Sequence, residues 1–176
     1  MAAHLDVAQA VGSSNLLDHP EIMNIRLAKK DDVSQITEVY MRAFNSANVG
    51  EKWTFEKSQE FMDFWLKIQP DLFFVAESNN KICGGAVGLI KPFWDGNYLT
   101  ETELFVDPDF QKQGVGKNIL KKLISEALNK YKIKSFDGLA YKNQKFPLEW
   151  YRKIGLEESK LVYLEGDPKE ILDNLS

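Results

Sequence analysis

Residues 111–117, "QKQGVGK", place two glycines one residue apart where an apolar run gives way to an amphipathic one. Glycine tolerates positive φ and lets a ligand come close to the main chain. At the start of a helix, exposed N–H groups and the helix dipole suit a phosphate or diphosphate. Residue type excludes two phosphate loops. A Walker loop needs glycine at position 111 and a hydroxyl after Lys117, where Gln111 and Asn118 stand. A dinucleotide fingerprint needs a third glycine where Ile119 stands. What remains, Gln111-x-x-Gly114-x-Gly116, reads either as an anion cradle or as a tight connection that needs glycine only for turning.

Acidic and aromatic residues lie just upstream. Glu101 and Glu103 are two apart in "YLTETELFV", so strand alternation predicts one shared face that continues to Phe105. That face is either solvated or a pair of acids whose pKa values burial would raise. In "KPFWDGNY", Phe93, Trp94 and Tyr98 flank Asp95, a mixture suited to a small cation by charge and cation–π contact. A hydrophobic lid or a homodimer contact would use the same rings. Both histidines, His4 and His19, precede Met23, which leaves the body without a Ser-His or Cys-His relay or a His-rich metal site. No metal is expected. Cys83, in the run "ICGGAVGLI", reads as a small buried strand residue.

The elements that must position these groups follow from periodicity. Residues 24–27 read as a strand, followed by a helix capped at Asp31 or Asp32 with Val33, Ile36, Tyr40, Ala43 and Phe44 on one face. After a polar break at 45–50, Thr54 opens a second helix bearing Phe61, Phe64, Trp65 and Ile68, stopped by Pro70. "LFFVAES" and "KICGGAVGLI" flank Asn79-Asn80 as a hairpin. "KPFWDGN" reads as a loop and "YLTETELFV" as the next strand. Ile119, Leu120, Leu123, Ile124, Ala127, Leu128 and Tyr131 trace a long amphipathic helix. "SFDGLAY" is expected as a fifth strand, and Pro147 to about Ile154 as a helix stopped by Gly155. "SKLVYLE" is expected as a last strand and "PKEIL" as a closing helix. The order β-α-α-β-β-β-α-β-α-β predicts an α+β (mixed α/β) sheet covered by helices.

Composition bounds the partners. With 44% hydrophobic and 12% aromatic residues, the chain can build a packed core. Of the net charge of −4, Asp6, Asp18 and Glu21 supply three units before Met23, so the remainder is close to neutral and lacks a broad basic face for nucleic acid. No apolar run has membrane-spanning length, and the single cysteine fits a reducing, cytoplasmic setting. Residues 1–22 are read as an N-terminal extension or leader, and residues 23–176 as one domain.

"ELFVDPDFQKQGVGKNIL" resembles the acetyl-CoA-binding signature of the GNAT superfamily of N-acetyltransferases. "NQKFPLEWYRKIGLEE" is similar to the family's second signature: Asn143, Tyr151 and Gly155 match, and Leu156 stands where Phe is usual. The resemblance spans residues 23–165. It implies a GNAT-like fold, a mostly antiparallel mixed sheet with helices on both faces, and acetyl-CoA as co-substrate. It implies that main-chain amides of Gln111, Lys112, Gln113, Gly114, Val115, Gly116 and Lys117 hold the CoA pyrophosphate, with Asn143 also on the cofactor. Phe105 and Val106 would run beside the pantetheine arm in a gap between the fourth and fifth strands. A backbone amide near Leu104–Val106 would meet the thioester carbonyl and stabilise the oxyanion. Lys117 would add charge at the phosphates or stand solvated.

The implied chemistry is attack of an amine on a thioester. An aliphatic amine of pKa about 10 is protonated at neutral pH, so the site must remove a proton. Without histidine a carboxylate is the candidate base, directly or through water: Glu103 first, Glu101 second. Tyr151 takes the family's general-acid position on the departing thiolate. The expected acceptor is a small cationic amine (polyamine, aminoglycoside-like or amino-acid amine). Trp94, Asp95 and Tyr98 would line its pocket with Phe55, Phe61 and Trp65. A protein lysine or N-terminus is the alternative acceptor. A non-catalytic acyl-CoA-binding module and an interaction module using the Trp94 loop are the alternatives to an enzyme.

Overall fold

The structure, a computed structural model, describes residues 23–176, so the expectation for the N-terminal segment lies outside the described residues. Asn79 and Asn80, both at positive φ (51° and 60°), turn the chain between β2 (Phe74–Ser78) and β3 (Lys81–Phe93). Asparagine accepts this left-handed backbone more readily than other side chains. β1 (Asn24–Leu27) pairs antiparallel with β2, β4 (Gly96–Val106) antiparallel with β3, and β5 (Ser135–Phe136) parallel with β4. The sheet order is β1-β2-β3-β4-β5.

Helices cover both faces. α1 (Val33–Ala47) and α2 (Phe55–Ile68) bring Ile36, Val39, Tyr40, Met62 and Trp65 onto Val75, Val87 and Phe105. α3 (Val115–Tyr131) packs Ile119, Leu120, Leu123 and Ala127 on the opposite face against Phe74, Ala86 and Leu99. Thr54 caps α2 by accepting the Lys57 N–H at 3.3 Å. Asp32 ties the entry to α1: it accepts the Lys29 N–H at 2.7 Å and the Arg26 guanidinium at 2.6 Å. Arg26 also pairs with Glu77 at 2.6 Å, which fastens the first strand pair to that helix. α4 (Lys145–Lys153) and α5 (Pro168–Asn174) complete the chain. Cys83 is buried and directs its thiol to the Ala76 carbonyl.

One irregularity in β4 decides where its side chains point. Val87 pairs with Glu103 but Leu89 pairs with Thr100, so Glu101 and Thr102 together oppose Gly88. This is a β-bulge, and Glu101 adopts the left-handed conformation (φ 51°) that such a position usually gives to glycine. The extra residue reverses the alternation: Leu99 packs with Leu104 and Val106 under α3, whereas Phe105 packs under α1. The expected common face of Glu101 and Glu103 is therefore corrected. Glu103 shares the Phe105 face, while Glu101 is turned out to solvent and pairs with Lys91.

Three further expectations change. "KPFWDGN" is mostly strand, because β3 runs to Phe93 and only Trp94 and Asp95 turn. The fifth strand contracts from "SFDGLAY" to two residues. "SKLVYLE" forms no strand: Leu161 to Leu164 are 74–86% exposed and lack the pairing neighbour a strand requires. Around Pro147, α4 opens at Lys145 and Phe146 departs from helical geometry. A residue before proline is pushed from the α region.

Close strand approach makes a testable demand. A Cβ added at Gly84 would stand 2.8 Å from the Phe105 carbonyl oxygen, a main-chain atom within the β3–β4 ladder. Gly84→Ala is expected to lower unfolding free energy by about 1–3 kcal/mol. Urea titration against the parent chain measures it; an unchanged midpoint would contradict the packing described.

Candidate active site

Past the bulge, no strand among the described residues pairs with the outer side of β4. β5 pairs only through Tyr98↔Ser135 and Leu99↔Phe136, and the last ladder bond runs from Asp137 N–H to the Leu99 carbonyl at 3.0 Å. Asp137 then accepts the Glu101 N–H with its side chain at 3.3 Å, which ends the pairing without leaving that donor unmet. Asp107 N–H donates to the Cys83 carbonyl on β3 at 2.9 Å. By antiparallel alternation, Phe105 aims its peptide groups at β3, and Leu104 and Val106 aim theirs at the open edge. The Val106 carbonyl accordingly accepts the Gln111 side-chain amide at 3.1 Å. Of the two residues expected beside a pantetheine arm, Val106 therefore presents main chain to the edge, and Phe105 contributes a buried ring.

The glycine turn lies against this edge. Asp107 caps its start by accepting the Asp109 N–H at 3.0 Å, and Arg42 of α1 holds Asp107 and Asp109 at 2.9 Å each. Lys112 (φ 62°) and Gly114 (φ 83°) supply two left-handed residues. Gly114 is the N-cap of α3 and lends no side chain to it. The first helical bond runs from Asn118 N–H to the Gly114 carbonyl at 3.0 Å, so the N–H groups of Val115, Gly116 and Lys117 precede the helical ladder. Among the described residues none of these three meets a protein acceptor outside the helix. A Cβ at Gly116 would stand 3.4 Å from Val106 Cγ2, so glycine lets the first turn of α3 approach β4. The Val115 side chain is core; only its N–H is available to a ligand. Gln113 bonds the Asp109 carbonyl, and Lys112, Lys117 and Asn143 are exposed.

Glu103 sits farther back on the same strand. Tyr40 of α1 donates to Glu103 Oε2 at 3.4 Å. Burial, with the negative charge of Glu51 nearby, pushes the Glu103 carboxyl up to about 7 against an ordinary 4.5, and the Tyr40 bond offsets only part of this. Tyr151 on α4 is 9% exposed, and burial followed by the Glu103 charge raises its phenol. Its hydroxyl has no hydrogen-bond partner among the described residues. Glu51 belongs to the polar break after α1 and takes hydrogen bonds from Trp53 Nε1 and Tyr141 Oη. The Tyr141 bond to Glu51, burial and the Glu51 charge raise the Tyr141 phenol to about 12, with Glu165 and Glu103 adding to the shift. Tyr40, Trp53 and Phe61 pack ring to ring at 5.1–5.5 Å beside them.

The structure thus sets Glu103 within electrostatic reach of Tyr151 and leaves other expected residues elsewhere. Trp94 is 92% exposed at the β3–β4 turn, Phe93 stacks on Tyr98 at 4.5 Å, and Tyr98 donates to Asp95 at 3.4 Å. This group lies five residues from Glu103 along β4, roughly 16 Å of strand. Sequence reasoning missed Tyr40, Glu51 and Tyr141. Their one local signal was an acid beside Trp53 in an otherwise polar break. No cluster of three or more metal-ligating side chains occurs among the described residues, and no helix there is long and apolar enough to cross a membrane.

The mixed sheet opens beside a glycine-capped helix, and behind the opening the Glu103 charge reaches Tyr151. The chain belongs to the Acetyltransferase (GNAT) family, which matches residues 33–155. It is 28% identical over 152 residues to an uncharacterised N-acetyltransferase of Methanocaldococcus jannaschii, covering 78% of this chain and 62% of that protein. It therefore spans less than two thirds of that relative's length. An L-amino acid N-acyltransferase of Escherichia coli K12 is 29% identical over 125 residues, 69% of this chain and 73% of the relative. Among solved structures, a predicted acetyltransferase with acetyl-CoA from Clostridium acetobutylicum superposes with a TM-score of 0.63 at 21% identity, covering 85% of this chain and 98% of that one. At that identity the likeness is one of fold.

The raised Glu103 carboxyl links protonation to folding. The folded carboxyl holds its proton to about pH 7, whereas the ordinary value is 4.5, so stability at this site is full below 4.5 and is lost as pH rises through 7. Glu103→Gln removes that loss. The variant's melting temperature relative to the parent is expected to rise between about pH 5 and pH 8. A constant difference across that range would show that the carboxyl titrates normally.

Proposed function

We propose that this chain transfers an acetyl group from acetyl-CoA to a primary amine of a small molecule. The amides that open α3 hold the diphosphate, and the open β4 edge pairs with the pantetheine arm through Leu104 and Val106. Glu103 takes the proton from the acceptor ammonium, directly or through one water. The amine nitrogen then bonds to the thioester carbon, and an edge N–H faces the developing oxyanion. The carbon–sulfur bond breaks, and Tyr151 gives its proton to the departing thiolate. Glu101, turned outward onto Lys91, has no part in this route.

The observation that carries the reading is the half-buried Glu103 beside the unpartnered hydroxyl of Tyr151. A base works best when its pKa lies near the working pH, and Glu103 is pushed up to about 7. The same surroundings raise the Tyr151 phenol, which keeps its proton available for the leaving group. Acetyl-CoA in the Clostridium acetobutylicum structure and the amino-acid acyl transfer named for the Escherichia coli relative support the donor and a small acceptor.

Two variants test the roles. Glu103→Gln is expected to lower kcat/KM by about 10²–10⁴ and to abolish its fall below pH 7. Tyr151→Phe is expected to lower kcat by about 10² or more while calorimetric acetyl-CoA affinity stays within about twofold of the parent. Unchanged turnover in either variant removes that residue from the mechanism, and absence of acetyl-CoA binding by the parent removes the whole reading.

A further inference from the structure

Glu51 lies outside the chemistry just assigned, yet it faces the same space. It is anchored by Trp53 Nε1 and Tyr141 Oη, two neutral donors. Neither Glu51 nor Glu103 has an ion-pair partner among the described residues. Arg42, the arginine of α1, is committed to Asp107 and Asp109. Residues 1–22 contain no Lys or Arg. Lys52, next to Glu51 in sequence, is exposed and forms no ion pair with it, so among the described residues two carboxylates face one aromatic-walled space without an ion-pair partner. The Tyr151 hydroxyl, on a side chain nine-tenths buried, has no partner among the described residues, which marks the same space as one that receives a ligand.

We propose that Glu51 makes the acceptor site selective for an aliphatic diamine, holding the ammonium group that does not react while the reacting nitrogen faces Glu103. The inference rests on the acetyl-transfer reading and narrows its acceptor. Two ammonium groups neutralise two carboxylates, and the Tyr40 and Trp53 rings suit the cations and the methylenes between them. An amino acid fits worse, because its carboxylate would enter beside two others with no buried cation among the described residues to receive it. Each desolvated like-charge contact of that kind costs binding energy.

The test uses three matched probes with the whole chain and saturating acetyl-CoA: putrescine, butylamine, which lacks the second nitrogen, and ornithine, which adds a carboxylate. Free CoA thiol is read. Putrescine is expected to exceed each of the others in kcat/KM by about tenfold or more. Glu51→Gln is expected to shrink the putrescine-to-butylamine ratio to about threefold or less, through the putrescine KM. A thermal melt checks that the variant is folded, and the parent comparison decides the matter if it is not. Butylamine or ornithine matching putrescine, or a ratio untouched in folded Glu51→Gln, overturns the diamine assignment and leaves acetyl transfer standing. Turnover of some other amine with none of these three does the same. Acetyl-CoA binding without thiol release for any primary amine overturns both.

Discussion

The extra residue in β4 is the constraint on which the site depends. Placing Glu101 and Thr102 opposite Gly88 turns the strand's side chains over between Leu99 and Glu103. Without it, Leu99 and Phe105 would lie on one face, and Glu103 would face α1 only if Leu99 did as well. With it, Leu99 completes the core under α3 while Glu103 reaches Tyr40 under α1. The same bulge turns the Glu101 N–H onto the Asp137 side chain, where pairing with β5 stops. One local distortion thus aims the carboxylate and opens the strand edge. A left-handed glutamate costs on the order of 1–2 kcal/mol, and the Asp137 bond and Lys91 pair are the contacts that hold it. Bulges recur where a sheet must re-aim a side chain beside an active site.

Around Glu103 the structure accepts a cost that an ordinary core would avoid. A half-buried carboxylate faces a second one, and among the described residues neither has an arginine or lysine as ion-pair partner. The partners are phenols and an indole, which donate hydrogen bonds without cancelling charge. Such an arrangement weakens the fold above neutral pH and leaves a strong local preference for cations. Structural ion pairs show the opposite pattern: Arg26 with Asp32 and Glu77, and Arg42 with Asp107 and Asp109, are compensated and sit where elements must be fastened. The contrast separates groups that hold the scaffold from groups left with unbalanced charge.

Much of the scaffold was legible in the residue order because its signals are local. Thr54 capping α2, the Asn79-Asn80 turn, the apolar stripe of α3 and the glycines at its start each act through neighbours a few residues away. Glu103 and Tyr151 were legible as chemical types at strand and helix positions. The bulge was not, since it depends on what β3 presents opposite β4. The shared face expected for Glu101 and Glu103 failed for that reason. Glu51 escaped notice because its meaning comes from Tyr141, 90 residues later in the chain. "SKLVYLE" has the composition of a strand, but composition alone provides no neighbour to pair with. The Trp94 group combines the expected rings and acid, yet the strand carries it away from Glu103.

The proposed division of labour between base and acid would follow from one environment acting on two groups of different intrinsic acidity. Burial opposes ionisation of a carboxyl and of a phenol alike, and each negative charge opposes the formation of another. For Glu103 that brings the carboxyl from 4.5 to about 7, where it can accept and release a proton near neutrality. For Tyr151 the same direction of shift starts from 10.0 and moves farther from neutrality, so the hydroxyl remains a donor. A cation between them would lower both values and leave Glu103 a weaker base. The lack of an arginine or lysine ion pair there among the described residues is therefore coherent with the proposed proton removal as well as with the proposed cation binding. In the proposed reaction an incoming ammonium supplies the missing positive charge itself, and its proton is the one the carboxylate takes.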